Sequence, residues 1–133
     1  MRLSFRYPRQ DRLRKGWQFD LVFRTGRRVN GELVRLLFVP SPDGRTCFGV
    51  AVGKQQGSSP VRSRGKRVLR ESLRRLRPWV REGFYIICML RNAALDRDAR
   101  GVYEDLAKVA SRAGLMKADW PGVDWNIDKE GSA

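Results

Sequence analysis

Residues 59–77, SPVRSRGKRVLRESLRRLR, stand between a polar loop, Gln55-Gln56-Gly57-Ser58, and a proline, Pro78. Ser59 reads as an N-cap, Pro60 as a first-turn residue and Pro78 as the stop, which predicts one long helix ending at about Arg77. At ~100° per residue, Val61, Val68, Leu69, Ser72, Leu73 and Leu76 share an arc of ~140°. Arg62, Arg64, Lys66, Arg67, Arg70, Arg74, Arg75 and Arg77 fill most of the remainder, with Glu71 as the one interruption. Such a helix docks by one face and leaves the other cationic. Its cations crowd the N-terminal half, where the macrodipole is already positive and acids are preferred, and a broken local rule of this kind marks function. Free backbone amides flanked by guanidinium groups form a site for successive phosphates.

The rest of the charge agrees with a polyanionic partner. Residues 1–77 carry 20 Lys or Arg against 5 Asp or Glu, whereas residues 78–133 carry 8 against 9. Of the basic residues 22 are Arg, whose planar guanidinium grips phosphate through two hydrogen bonds and stacks on bases. An apolar content of 41% in 133 residues is enough for one domain with a real core, which argues against a disordered basic tail. The chain has no histidine, which excludes Ser-His-Asp and Cys-His nucleophiles, His-ligated zinc and two-histidine nuclease chemistry. Cys47 and Cys88 lie in apolar runs far apart and read as reduced, buried thiols. The opening MRLSFRYPRQ has no apolar stretch of signal-peptide length, and the longest apolar run, residues 84–90, is too short to cross a bilayer. A cytoplasmic protein with no membrane partner and no small-molecule substrate is therefore expected.

Along the chain, residues 1–11 read as an irregular basic arm and residues 13–25 as a helix closed by Gly26. That helix is apolar on two sides. Leu13, Trp17 and Leu21 lie on one, and Phe19, Val22 and Phe23 on the other. Either it is sandwiched in the core, or Phe19 and Phe23 line a groove that receives bases or a peptide. Residues 29–39 read as a strand in which Arg35 is the odd residue between Leu33 and Leu37, able to stay solvated or to meet a phosphate. The turn Ser41-Pro42-Asp43-Gly44 predicts a hairpin to a second strand over residues 46–53. Residues 83–90 read as a central strand buried on both faces, and residues 103–113 as a last helix stopped by Gly114. Residues 115–133 hold Trp120, Trp125, four acids and two lysines without periodicity, an acidic extension that either packs back or stays loose.

Residues 54–71, KQQGSSPVRSRGKRVLRE, resemble the signature of the bacterial ribonuclease P protein subunit. The opening RLRKGWQFDLVFRTGR, residues 12–27, is similar to that family's first helix with its paired phenylalanines, and the element order matches to residue 113. The resemblance implies one RNA-binding domain over residues 1–114, followed by the extension 115–133. It implies an α/β sandwich in the order α-β-β-α-β-α around a central sheet, of the ribosomal protein S5 domain 2-like kind, with a left-handed β-α-β crossover. Spacing alone would not suggest that crossover, since right-handed ones dominate. The implied function is to bind the catalytic RNA of ribonuclease P and assist metal-dependent removal of the 5′ leader from precursor tRNA. The RNA then supplies catalysis and holds most of the Mg2+, and the protein has no catalytic or metal-ligating residues of its own. By position, Arg62, Ser63, Arg64, Lys66, Arg67, Arg70 and Arg74 are implied to meet RNA. Phe19 and Phe23, with Arg35, Leu37 and Lys54, are implied to line the leader groove. Pro60, Ser63 and Gly65 depart from the family pattern, and Gly65 is expected to loosen the first turn by ~1 kcal/mol relative to Ala.

Two other readings compete. A general ribosomal-type RNA-binding protein would share the basic helix without needing a Phe-lined groove. A protein nuclease would need two or three converging carboxylates, and Asp11, Asp20, Glu32, Asp43 and Glu71 are scattered without DxD or ExxD spacing.

Overall fold

The continuous apolar strand sets the architecture. In the computed structural model, which describes residues 9–53 and 57–126, Phe84–Leu90 (β4) lies inside a four-stranded sheet. Its neighbours are Val34–Pro40 (β2), antiparallel, and Cys47–Ala51 (β3), parallel. Arg27–Asn30 (β1) pairs with the outer side of β2, so the order is β1-β2-β4-β3. Gly16–Thr25 (α1) covers one face, and Ser59–Leu76 (α2) and Ala99–Arg112 (α3) cover the other. The expected α/β sandwich is thus present, and β3-α2-β4 is its β-α-β unit.

Two expectations are corrected. The strand expected over residues 29–39 is two strands, β1 and β2, which form the hairpin, because the chain reverses at residues 31–33. The Asp105 carboxylate on α3 holds that reversal, accepting hydrogen bonds from the backbone N–H of Glu32 (3.3 Å), Leu33 (2.8 Å) and Val34 (3.0 Å). The hairpin expected across Asp43-Gly44 does not form, because β4 inserts between β2 and β3. A strand apolar on both faces takes the centre, where two neighbours and two helix layers bury it.

Helix starts also shift for local reasons. Leu13 lies outside α1 because its N–H donates to the Phe48 carbonyl (2.8 Å), and the Gln18 carboxamide then accepts from the backbone N–H of Arg14 and Lys15 (both 3.0 Å). α3 begins at Ala99, four residues before the expected start, because Asp98 caps it, its carboxylate accepting from Gly101 N–H at 2.8 Å. Gly65 lies buried where α2 meets the sheet, and a Cβ there would stand 2.9 Å from Leu90 Cδ1 and 3.1 Å from Val52 Cγ2. The glycine that weakens the helix locally therefore lets it approach β4.

Residues 115–126 pack back. Leu115 is buried, Met116 bridges to Val80, and Arg81 N–H donates to the Leu115 carbonyl at 2.7 Å. The Trp125 ring lies edge-on to Tyr103 (centroids 5.7 Å) and beneath the Arg75 guanidinium (3.6 Å). No helix among the described residues is long and apolar enough to cross a membrane.

Removing the Asp105 carboxylate leaves three backbone donors at the β1–β2 turn without their acceptor. Asp105→Ala is expected to lower unfolding stability by about 2 kcal/mol in urea titration, and Asp105→Asn by less, since one acceptor oxygen remains. A loss in Asp105→Ala no larger than that of an ordinary surface substitution would contradict this role.

Candidate nucleic-acid interface

The helical repeat divides the cations of α2 into stripes with different partners. Residues at i, i+4, i+7 and i+11 share a face, so Arg64, Val68, Glu71 and Arg75 form the stripe toward α3 and the tail. Arg64 donates to the carbonyls of Leu95 and Arg97, both at 3.0 Å. Arg75 is only 6% exposed; its Nε donates to the Trp125 carbonyl (3.0 Å) and its Nη1 pairs with Glu71. These two arginines, expected on the open cationic face, brace the fold instead. Arg64 keeps three of the five donors of a guanidinium beyond those two bonds. Arg77, expected at the end of the cationic face, is paired with Asp11.

Ser63, Arg67, Arg70 and Arg74 form the adjacent stripe, which faces outward. The first three are exposed, and Arg74 is half-buried with its guanidinium on Glu71 at 3.0 Å. Arg62 and Lys66, also half-buried, flank this stripe on the far side, and the Arg62 Nη2 donates to Ser59 Oγ at 3.1 Å. The outward surface therefore consists of cations and one hydroxyl, with the single acid of the helix turned to the side.

Across the sheet, α1 lies transverse to the strands. Its entry is tied to β3 at Phe48, while a Cβ on Gly26 at its exit would stand 3.1 Å from the Phe38 carbonyl on β2. Val22 is fully buried beneath it, and the Phe19 ring packs on Gly49, where a Cβ would stand 2.9 Å from the ring. Phe23 follows Phe19 by one turn on the same flank and is 37% exposed. Beside that flank the sheet presents one cross-strand row, Arg35, Met89 and Ala51, held by the pairings Arg35↔Met89 and Ala51↔Met89. All three are half-buried. This makes a shallow channel with aromatic rings on one wall and a guanidinium on its floor. Arg35 is fixed there by Asn30, its Nε donating to Oδ1 at 2.8 Å.

The structure removes one expected wall. Leu37 is 1% exposed, one row further under α1 and packed with Val22 and Ile87, so it belongs to the core and cannot touch a ligand in the channel. Lys54 lies outside the described residues. Met89 was not marked by the sequence, because an unbroken apolar strand gives no signal of which residue reaches an open end. Trp17, 51% exposed, sits on the opposite flank of α1 near Tyr85 (centroids 6.1 Å), away from the phenylalanines.

The buried face of α2 and the channel reach the same end of the sheet from opposite faces. Gly65 near the start of α2 touches Leu90 and Val52, and these residues neighbour Met89 and Ala51 in the strands that floor the channel. Among the described residues, no group of three or more Cys, Asp and Glu side chains is placed to hold a metal ion. The site can bind a flexible polyanion with stackable groups, and it offers no protein carboxylate cluster for hydrolysis.

Acid should loosen the brace behind the outward stripe. Hydrogen bonding from Arg74, aided by Arg75 and opposed by burial, holds the Glu71 carboxyl down at about 2, against an ordinary 4.5. A lowered carboxyl stabilises the fold above its ordinary value and loses that contribution as pH falls through about 2. The difference in Tm between the native chain and Glu71→Gln should be largest at neutral pH and shrink as pH falls across that window. A difference independent of pH would refute the coupling.

A family model described as Ribonuclease P matches residues 7–114. The chain is 35% identical over 109 residues to a ribonuclease P protein component of Symbiobacterium thermophilum, covering 81% of this chain and 95% of that one. It is 30% identical over 115 residues to the ribonuclease P protein component of Dictyoglomus thermophilum, covering 85% and 96%. Among solved structures, the RNase P protein of Thermotoga maritima superposes with a TM-score of 0.67 at 28% identity, covering 76% of this chain and 96% of that one. That of Staphylococcus aureus superposes with a TM-score of 0.71 at 20% identity, covering 80% and 98%, and supports the fold alone.

Proposed function

Because the chain belongs to the ribonuclease P protein family, we propose that it binds the catalytic RNA of ribonuclease P through α2 and the single-stranded 5′ leader of precursor tRNA through the channel beside α1. The observation that carries this reading is the presence of two different surfaces in one small fold. One is a cationic stripe suited to a folded RNA backbone, and the other a Phe-walled channel suited to an unpaired strand. A general RNA-binding protein needs only the first.

Each part has a physical task. Arg67 and Arg70, exposed and one turn apart, neutralise phosphates and release counterions, while Ser63 adds a hydroxyl at the helix start. Phe23 and the accessible edge of Phe19 offer faces on which any base can stack, worth ~1–3 kcal/mol per base, which suits a subunit serving many precursors. Arg35, held by Asn30, places a cation on the floor for a leader phosphate. Catalysis is assigned to the RNA, and the magnesium ions with it: Asp11, Asp43 and Glu71 are engaged with Arg77, Tyr85 and the arginines of α2, and among the described residues neither Asp20 nor Glu32 joins a group of three or more Cys, Asp and Glu side chains placed to hold a metal ion. The protein acts in the cytoplasm, where precursor tRNA is made.

The deciding experiment is cleavage of a 5′-labelled precursor tRNA at low magnesium by the protein, by a bacterial ribonuclease P RNA, and by both. Release of the intact leader only by the mixture is expected; cleavage by the protein alone, or no stimulation of the RNA, would overturn the proposal. Arg67→Ala should weaken binding to the catalytic RNA and reduce the slope of log K against log salt by about one, whereas an unchanged slope would remove Arg67 from the interface. Phe23→Ala should weaken leader-bearing precursor about tenfold and leave leaderless tRNA unaffected, and equal losses would argue against the channel.

A further inference from the structure

The tail carries two tryptophans, and only Trp125 is accounted for by its stacking under Arg75. Trp120 lines an open cavity of about 850 Å3 between α3, the β1–β2 turn and the tail. Lys108 and Arg112, exposed and one turn apart on α3, form one side, and Arg91 at the end of β4 another. Arg91 donates to the Gly31 carbonyl (2.6 Å) and Arg112 to the Asn30 carbonyl (2.7 Å), which fixes both guanidinium groups at the rim. Two acids also face the cavity. The Asp105 carboxylate is engaged by three backbone N–H groups, which leaves Glu32 as the acceptor free for a ligand. Val123, 42% exposed, adds an apolar patch beside Trp120.

We propose that this cavity is a second single-strand RNA site, which takes a nucleotide of the leader beyond those held in the α1 channel. The indole presents a base-stacking surface, Lys108 and Arg112 supply phosphate contacts, and Glu32 accepts from a base amino group. Asn30 connects the two sites: its side chain holds Arg35 in the channel, and its carbonyl receives Arg112 at the cavity rim. A strand leaving the channel over the β1 edge meets the cavity next. An acidic peptide would find the cations but has no use for the indole and is opposed by Glu32. Trp120 lies past residue 114, where the family match ends, so this wall belongs to the chain's own extension. The inference rests on the leader-binding reading above.

The test measures the affinity of the reconstituted holoenzyme for two precursor tRNAs, one with a short leader that ends within the channel and one several nucleotides longer. The native protein should gain affinity from the added nucleotides. Lys108→Glu and Trp120→Leu should each remove that gain, about fivefold or more, while short-leader affinity stays within about twofold. Trp120 is half-buried, so if Trp120→Leu loosens the tail, the exposed Lys108 carries the test alone. Retention of the whole gain by Lys108→Glu overturns the second site and leaves the channel standing. Absence of any leader preference in the native holoenzyme overturns both. A further titration follows tryptophan fluorescence with uridine monophosphate and with a single-stranded oligouridylate, using Trp120→Phe as the control. Quenching by the mononucleotide at concentrations as low as those of the oligomer would assign the cavity to free nucleotides instead of a strand.

Discussion

β4 has an apolar residue at each of its seven positions, so both of its faces must be hidden. Nearly every other placement in the molecule follows from that. The strand takes the centre of the sheet, α1 closes one face over Leu37, Tyr85 and Ile87, and α2 with α3 closes the other over Leu36, Ile86 and Cys88. Because α1 crosses the strands, its width covers only part of their length, the cross-strand row Arg35, Met89 and Ala51 stays partly open, and the channel exists where that cover ends. The proposed RNA-binding region is thus a consequence of how one buried strand is enclosed.

The cationic helix illustrates a division of labour within a single element. Charge alone does not tell a contact residue from a brace, since both are arginines in one run. The guanidinium groups of Arg64 and Arg75 satisfy carbonyls of the loop before α3 and of the tail, where an unpaired acceptor would be costly. Arg67 and Arg70, about one third of a turn away, are exposed. The tail takes part through Trp125, which stacks under a cation that Glu71 partly neutralises. The rear stripe holds α2 in place, and the outward one stays open.

Glycine has a matching role at both surfaces. Gly49 lets the Phe19 ring lie on the sheet and sets the depth of the channel, and Gly65 lets the start of α2 reach Leu90. The loss in helix propensity at Gly65 is offset by close packing of α2 against Leu90 and Val52.

The sequence by itself determined the long cationic helix, the buried strand, the paired phenylalanines and the family, because each is written in local spacing: a period of 3.6, a continuous apolar run, a ring at i and i+4. Helix ends were legible to within a few residues, missed where a backbone N–H was claimed from afar, as at Leu13, or where a cap such as Asp98 went unread. Tertiary structure alone decided strand order, since the turn at Asp43-Gly44 looks the same whether its strands pair directly or receive β4 between them. It also decided which groove residues are accessible. Arg35 and Leu37 are two apart on one strand and share a face, yet α1 buries the second and leaves the first at the edge. The same holds for Arg64 and Arg67, whose roles differ because only one lies within reach of carbonyls from a segment some thirty residues away in sequence. Local spacing fixes which side of an element a residue occupies; whether that side meets water or protein depends on distant chain, and distance in sequence is invisible to periodicity.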